Sequence, residues 1–128
     1  MDPAIERALG HGHPIDLTTT GRRSGLPRRI EITFHNLDGR IYISGMPIEG
    51  RTRAWLLNLR AEPRLTVHLK RPVSADLAAT ALEISDPEER RRVLERIARI
   101  WRADPHRMMA FSPLVEVTID GYGATAAA

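Results

Sequence analysis

The chain has 128 residues, 42% of them hydrophobic and 27% charged, which is the make-up of one globular domain and excludes a disordered or fibrous chain. It contains no cysteine, so disulfides, thiolate nucleophiles, iron–sulfur clusters and cysteine-based zinc sites are ruled out, and the composition suits a reducing cytoplasm. The formal net charge is only +3, yet residues 20–71 carry eleven basic side chains against four acidic ones, a local +7 where an anionic ligand would bind.

Asp2-Pro3 followed by Ile5, Ala8 and Leu9 predicts a short capped helix closed by Gly10, with residues 1–14 forming an N-terminal helix and loop. This start has no apolar core behind it and does not read as a secretory leader. Ile15 to Thr20 is a β-branched strand, and Gly21-Arg22-Arg23-Ser24-Gly25 is a turn. Ile30, Ile32 and Phe34 then alternate with Arg29, Glu31, Thr33 and His35, which places His35 on a polar, exposed face. Asp38-Gly39 is a hairpin signal, and Arg40 to Ser44 returns with Ile41 and Ile43 inward.

Gly45 to Gly50 is a loop, after which Thr52 caps a helix bearing Ala54, Trp55, Leu57 and Leu59, with Asn58 at one edge. Glu62-Pro63 ends it. Leu65, Val67 and Leu69 alternate with Thr66, His68 and Lys70, a half-buried strand with His68 at the surface. Ser74 to Ile84 is a further strand. Asp86-Pro87-Glu88-Glu89 opens a helix with an apolar stripe of Val93, Leu94, Ile97, Ile100 and Trp101, its arginines forming a solvated face. Met108 to Pro113 connects to a last strand of Val115, Val117 and Ile119, and Gly121 to Ala128 reads as a frayed tail.

Six strands with short antiparallel connections would leave edges exposed in an open sheet, and curling closes them. The fold expected is therefore a single α+β domain, an antiparallel six-stranded barrel with flanking helices. No apolar run nears the ~18 residues of a membrane span.

Two segments carry chemistry. Thr18-Thr19-Thr20-Gly21-Arg22-Arg23-Ser24-Gly25-Leu26-Pro27-Arg28 combines a tight turn, whose backbone N–H groups could converge on an anion, with hydroxyls and three guanidinium groups. Ser44 to Trp55 runs from a strand through a loop into a helix start, where free backbone N–H groups favour a negative or carbonyl-bearing ligand. His11-Gly12-His13 lacks a third metal ligand and reads as loop, so no metal site is expected. No Ser/His/Asp ordering, paired-carboxylate motif or phosphate-binding P-loop stands out. A nucleic-acid partner is disfavoured by an aromatic content of 5%.

Leu17-Thr18-Thr19-Thr20-Gly21-Arg22-Arg23-Ser24-Gly25-Leu26-Pro27-Arg28 resembles the signature of the deazaflavin-dependent nitroreductase family, split-β-barrel proteins that use coenzyme F420. Trp55-Leu56-Leu57-Asn58-Leu59-Arg60-Ala61-Glu62-Pro63 is similar to that family's Trp-x-x-Asn-Leu-x-Ala-x-Pro helix exit. The resemblance implies that Thr20, Arg22, Arg23, Ser24 and Arg28 hold the coenzyme's phosphate and oligoglutamate tail. It implies that Ser44, Gly45, Ala54 and Trp55 line the deazaflavin ring, with Ser44 also the candidate to hydrogen-bond a substrate or ring carbonyl. The reaction implied is hydride transfer from reduced deazaflavin to a small organic acceptor such as a quinone, an activated alkene or a nitro compound. The alternatives are a non-catalytic cofactor- or apolar-ligand-binding barrel and an FMN-dependent enzyme. Related barrels often pair through their sheets, which implies a homodimer.

The chain departs from that pattern in two places. Where nitroreductase members carry a Ser-Lys pair it has Ser44-Gly45, leaving Arg51 or Arg53 to supply the missing cation. Where they line the substrate pocket with tyrosines it has Met108, Met109 and Phe111, which argues against a nitroimidazole-type substrate.

Overall fold

Period-two alternation produces six strands: β1 (Pro14–Thr20), β2 (Pro27–Leu37), β3 (Arg40–Ser44), β4 (Arg64–Leu69), β5 (Ala75–Glu83) and β6 (Leu114–Ile119). In the computed structural model, which describes residues 1–123, they close into a barrel in the order β1-β2-β3-β6-β5-β4, every neighbour antiparallel. Closure leaves no unpaired edge. Register brings the apolar positions together inside: Leu17 lies opposite both Ile30 and Val67, and Ile43 opposite both Phe34 and Val115. Helix α1 (Pro3–Leu9), capped by the Asp2 carboxylate, adds buried Ala8 and Leu9 to this interior.

A second core lies outside the barrel. Helices α3 (Pro87–Trp101) and α4 (Pro105–Phe111) place Val93, Leu94, Ile97, Ala98 and Met108 against Leu37, Tyr42 and Leu114 of β2, β3 and β6. Burying five such apolar side chains is worth roughly 1.5–3 kcal/mol for each of the larger ones. The stripe differs from expectation at one position, since Ile100 is exposed and Ala98 takes the inward place.

This layer also corrects the reading of His35. The β2 face expected to meet solvent lies under α3, so His35 is buried edge-on to Trp101 with ring centroids 5.0 Å apart. Its Nε2 is buried without a hydrogen-bond partner, and burial pushes its pKa below the ordinary histidine value. His68 is buried as well. Its Nε2 lies 2.6 Å from Thr18 Oγ1 and its Nδ1 2.7 Å from Asp76 Oδ1, a cross-strand bridge over β1, β4 and β5.

Other local expectations shift for identifiable reasons. Helix α2 (Ala54–Ala61) begins at Arg53 rather than at a Thr52 cap, and no side chain caps it. The connection before β6 contains α4, whose Asp104 accepts hydrogen bonds from the His106 and Arg107 amides. That start repeats the Asp-Pro pattern of α1 and α3. Within the segment expected as a tail, the Tyr122 amide donates to Ile119 O, and its hydroxyl accepts from Asn36 at 3.0 Å. The rest of the expected tail, residues 124–128, lies outside the described residues. Among the described residues no helix is long and apolar enough to cross a membrane.

Candidate functional site

The turn between β1 and β2 is tied down by its own backbone. The Gly21 amide donates to Leu26 O and the Gly25 amide to Gly21 O, both at 2.8 Å. Gly25 sits at φ +71°, where a side chain would be strained. Gly21 is needed for space, because a Cβ there would lie 2.6 Å from Ser24 Oγ and 3.4 Å from Arg28 Nε. The Leu26 amide donates to Ser24 Oγ at 3.1 Å.

The link to the rest of the site is Asn58, on the second turn of α2. It is 5% exposed. Its Oδ1 accepts from the Arg22 amide at 3.0 Å, and its Nδ2 donates to Thr19 Oγ1 at 3.1 Å. One side chain therefore fixes helix, strand and turn together. The amides of Gly21, Arg22, Gly25 and Leu26 are taken inside the protein, so of the turn's backbone donors those of Arg23 and Ser24 are the ones without an internal partner among the described residues.

Between turn and helix lies a cleft of about 510 Å3. Arg22, Arg23, Ser24 and Arg28 form one part of its wall, and Pro27, Ile30, Ala54 and Trp55 the apolar part. No carboxylate among the described residues lines it. Among the described residues Arg22, Arg23 and Arg28 have no acidic partner, whereas Arg29, also in the wall, is paired with Asp16 at 2.9 Å. Asp16 itself is held below the usual carboxylate range by hydrogen bonds from Lys70 and Arg29. The uncapped N-terminus of α2, carrying Ala54 and Trp55, adds a positive dipole end at the same cleft.

Of the residues singled out from sequence, the structure gathers Arg22, Arg23, Ser24, Arg28, Ala54 and Trp55 around this cleft. Thr20 is exposed at the end of β1, paired with Pro27, and is not in the wall. Ser44 turns away: it is 3% exposed, and its Oγ donates to Pro113 O at 2.6 Å. It ties β3 to the start of β6 and does not reach the cleft. Gly45 lies against the Arg53 guanidinium, and its carbonyl accepts from Ser112 Oγ at 2.7 Å. Arg51 and Arg53 are not in the wall of this cleft, so neither stands in for the missing lysine there. Met108 is fully buried in the outer core, and Phe111 lies beneath the Arg107 guanidinium, so neither replaces a tyrosine in the wall.

Sequence reasoning left out Asn58 as a site residue, along with Thr19 and Arg29. The available signal was an asparagine among leucines on a helix that otherwise reads as core.

A closed six-stranded antiparallel barrel with this cleft at its rim is a split barrel of the flavin- and deazaflavin-binding kind. Residues 4–121 match the model of the F420H2-dependent quinone reductases, and the chain belongs to that family. It is an oxidoreductase, and its cofactor is coenzyme F420. Among similar solved structures, a conserved hypothetical protein of Mycobacterium tuberculosis aligns at 20% identity and TM-score 0.66, over 94% of this chain and 81% of that one. A putative 5-nitroimidazole antibiotic resistance protein of Bacteroides thetaiotaomicron aligns at 15% identity and TM-score 0.62, over 93% and 80%. An F420-H2 dependent reductase, FDR-A, aligns at 22% and TM-score 0.56, over 81% and 92%. At these identities the likeness bears on the fold.

The donor set of the cleft fits the coenzyme. A molecule with a phosphodiester and several carboxylates needs unpaired cations and no facing acid, and its planar ring needs an apolar wall; the cleft supplies both.

Proposed function

We propose that the cleft beside Trp55 is the coenzyme site, that Arg22, Arg23, Ser24 and Arg28 hold the anionic tail, and that Ala54 and Trp55 border the ring. The acceptor is a small organic oxidant, a quinone in first place because the family is one of quinone reductases. The observation that carries this reading is a wall, free of acids among the described residues, that combines arginines without acidic partners and a tryptophan.

The reduced deazaflavin, when bound, supplies the hydride. The protein's part is placement. Asn58 holds the turn against α2, so the arginine backbones keep fixed positions relative to Trp55. The guanidinium groups neutralise the tail, and Pro27, Ile30, Ala54 and Trp55 exclude water from one side of the cleft. Arginine is the only titratable residue type in the wall, which suits a reaction asking little proton transfer of the protein.

Anaerobic titration with reduced F420 and, separately, with reduced FMN tests this, following the ring absorbance and then adding a quinone. Preferential F420 binding followed by quinone-dependent oxidation is expected. Preference for FMN refutes the cofactor assignment, and binding without oxidation refutes the quinone.

A further inference from the structure

On the opposite flank of α2 lies a second, smaller cleft of about 190 Å3, independent of the first. Four arginines converge there: Arg51 and Arg53 from the loop before α2, Arg60 from the end of α2, and Arg90 from α3. The only acid in its wall is Glu83 of β5, which forms a two-pronged pair with Arg60 at 2.7 and 2.8 Å. That leaves three guanidinium groups without an acidic partner among the described residues.

Two of these three are held in place by backbone carbonyls. Arg90, expected on a solvated helix face, points inward and donates to Met109 O at 2.9 Å and Ser112 O at 3.1 Å. Arg53 donates to Met46 O and lies flat against Gly45, where a Cβ would come within 2.7 Å of its Cζ. Burial lowers the pKa of both, and for Arg53 the nearby Arg51 charge adds to the effect. Carbonyl oxygens orient a guanidinium but do not cancel its charge. Arg51 and Arg53 repel each other, and Glu83, already paired with Arg60, acts on Arg90 only through space, so the wall keeps an excess of positive charge that an anion in the cleft would offset.

We infer that this second cleft is an anion subsite that takes a carboxylate or phosphate group on Arg51, Arg53 and Arg90, on the side of α2 away from the coenzyme cleft. Its volume holds one such group with a few waters, at about 30 Å3 of liquid per water. The group belongs either to a separate small acid or to the far end of a long polyanion that passes over the start of α2.

The subsite does not depend on the coenzyme assignment and is tested without it. In 15N spectra the Nε–H signals of Arg53 and Arg90 report on the cleft, and those of Arg22 and Arg28 on the first. Titration with inorganic phosphate, and separately with glutarate, is expected to shift the Arg53 and Arg90 signals, and to do so equally in Arg28→Gln. In Arg53→Gln the Arg90 signal should no longer respond. Arg51→Gln removes an exposed side chain that makes no ion pair or side-chain hydrogen bond among the described residues, and should weaken phosphate at this site about fivefold. Coenzyme carrying its glutamates, compared with the form cut back to the phosphate, distinguishes the sources. Shifts only with the long form identify the distal tail; shifts with the free anions and neither coenzyme form identify a separate acid. Arg53 and Arg90 signals unmoved by every probe would overturn the proposal while leaving the first cleft untouched.

Discussion

Replacing Asn58 separates what holds the site from what fills it. In Asn58→Leu the shape of a buried side chain is roughly kept, but the Arg22 amide and the Thr19 hydroxyl lose their partner. Two net hydrogen bonds at about 1 kcal/mol each, plus partial desolvation of an unpaired amide, give an expected loss of about 2–4 kcal/mol. In Asn58→Asp the carboxylate still accepts from the Arg22 amide and from a rotated Thr19 hydroxyl, and the stability loss at neutral pH, about 1–3 kcal/mol, comes from burying its charge. It places a negative charge in a wall that has none. At roughly 8 Å and an effective dielectric constant of ~40 the repulsion on a bound anion is about 1 kcal/mol per unit charge, or some fivefold in affinity for each. Urea unfolding followed by tryptophan fluorescence measures the first effect and titration with reduced F420 the second. A leucine variant as stable as the parent would show that the asparagine bridge does not hold the turn. An aspartate variant that is folded and binds F420 unchanged would show that the anion lies elsewhere.

Arg28→Ala should weaken F420 binding more than tenfold, about 1.5–3 kcal/mol for a charge-assisted contact, with unfolding unchanged because Arg28 has no acidic partner among the described residues. Calorimetric titration checks it. Gly12→Ala should destabilise by about 2 kcal/mol or more, since the new Cβ would lie 2.4 Å from the Phe34 carbonyl oxygen of β2, which cannot move without breaking the barrel. Gly45→Ala meets the end of the Arg53 side chain instead, which can swing aside at the cost of its bond to Met46 O, and urea unfolding should show a loss of about 1 kcal/mol. For pH, burial lowers the His35 pKa from 6.5 in the folded state, so below about pH 6.5 the unfolded chain binds a proton that the folded one resists. Stability therefore falls as the pH drops through this range, and His35→Phe should flatten the slope. An identical slope in unfolding curves from pH 7 to 5 would refute the assignment. At lower pH, Glu83 held down by Arg60 adds a further loss as it protonates.

The barrel was legible because its signals are local. Alternation in β2 to β4 and β6, the Asp38-Gly39 turn and the Asp86-Pro87 helix start each follow from a few neighbouring residues. What sequence did not reveal depends on layers meeting. Nothing beside His35 shows that α3 will cover its face, and nothing beside Arg90 shows that two carbonyls of the α4–β6 corner will draw it inward. The cleft divides the same way. The arginine turn and Trp55 announce themselves as motifs, while Ser44 lies outside the cleft's wall, its hydroxyl bonded to Pro113 far along the chain. Helix α4 is different: it opens on Asp104-Pro105, but its seven residues are too few to show a helical period in the sequence.

Four amides of the turn are satisfied within the protein, through its own carbonyl and hydroxyl groups and through Asn58. The scaffold and the guanidinium groups are thus chemically separate: Arg22 and Arg23 hang from the turn and Arg28 from the first residues of β2, and neither backbone draws on their charged ends in order to form. Such a division lets a lineage exchange rim side chains one by one, trading one polyanion for another, while the barrel beneath keeps its shape.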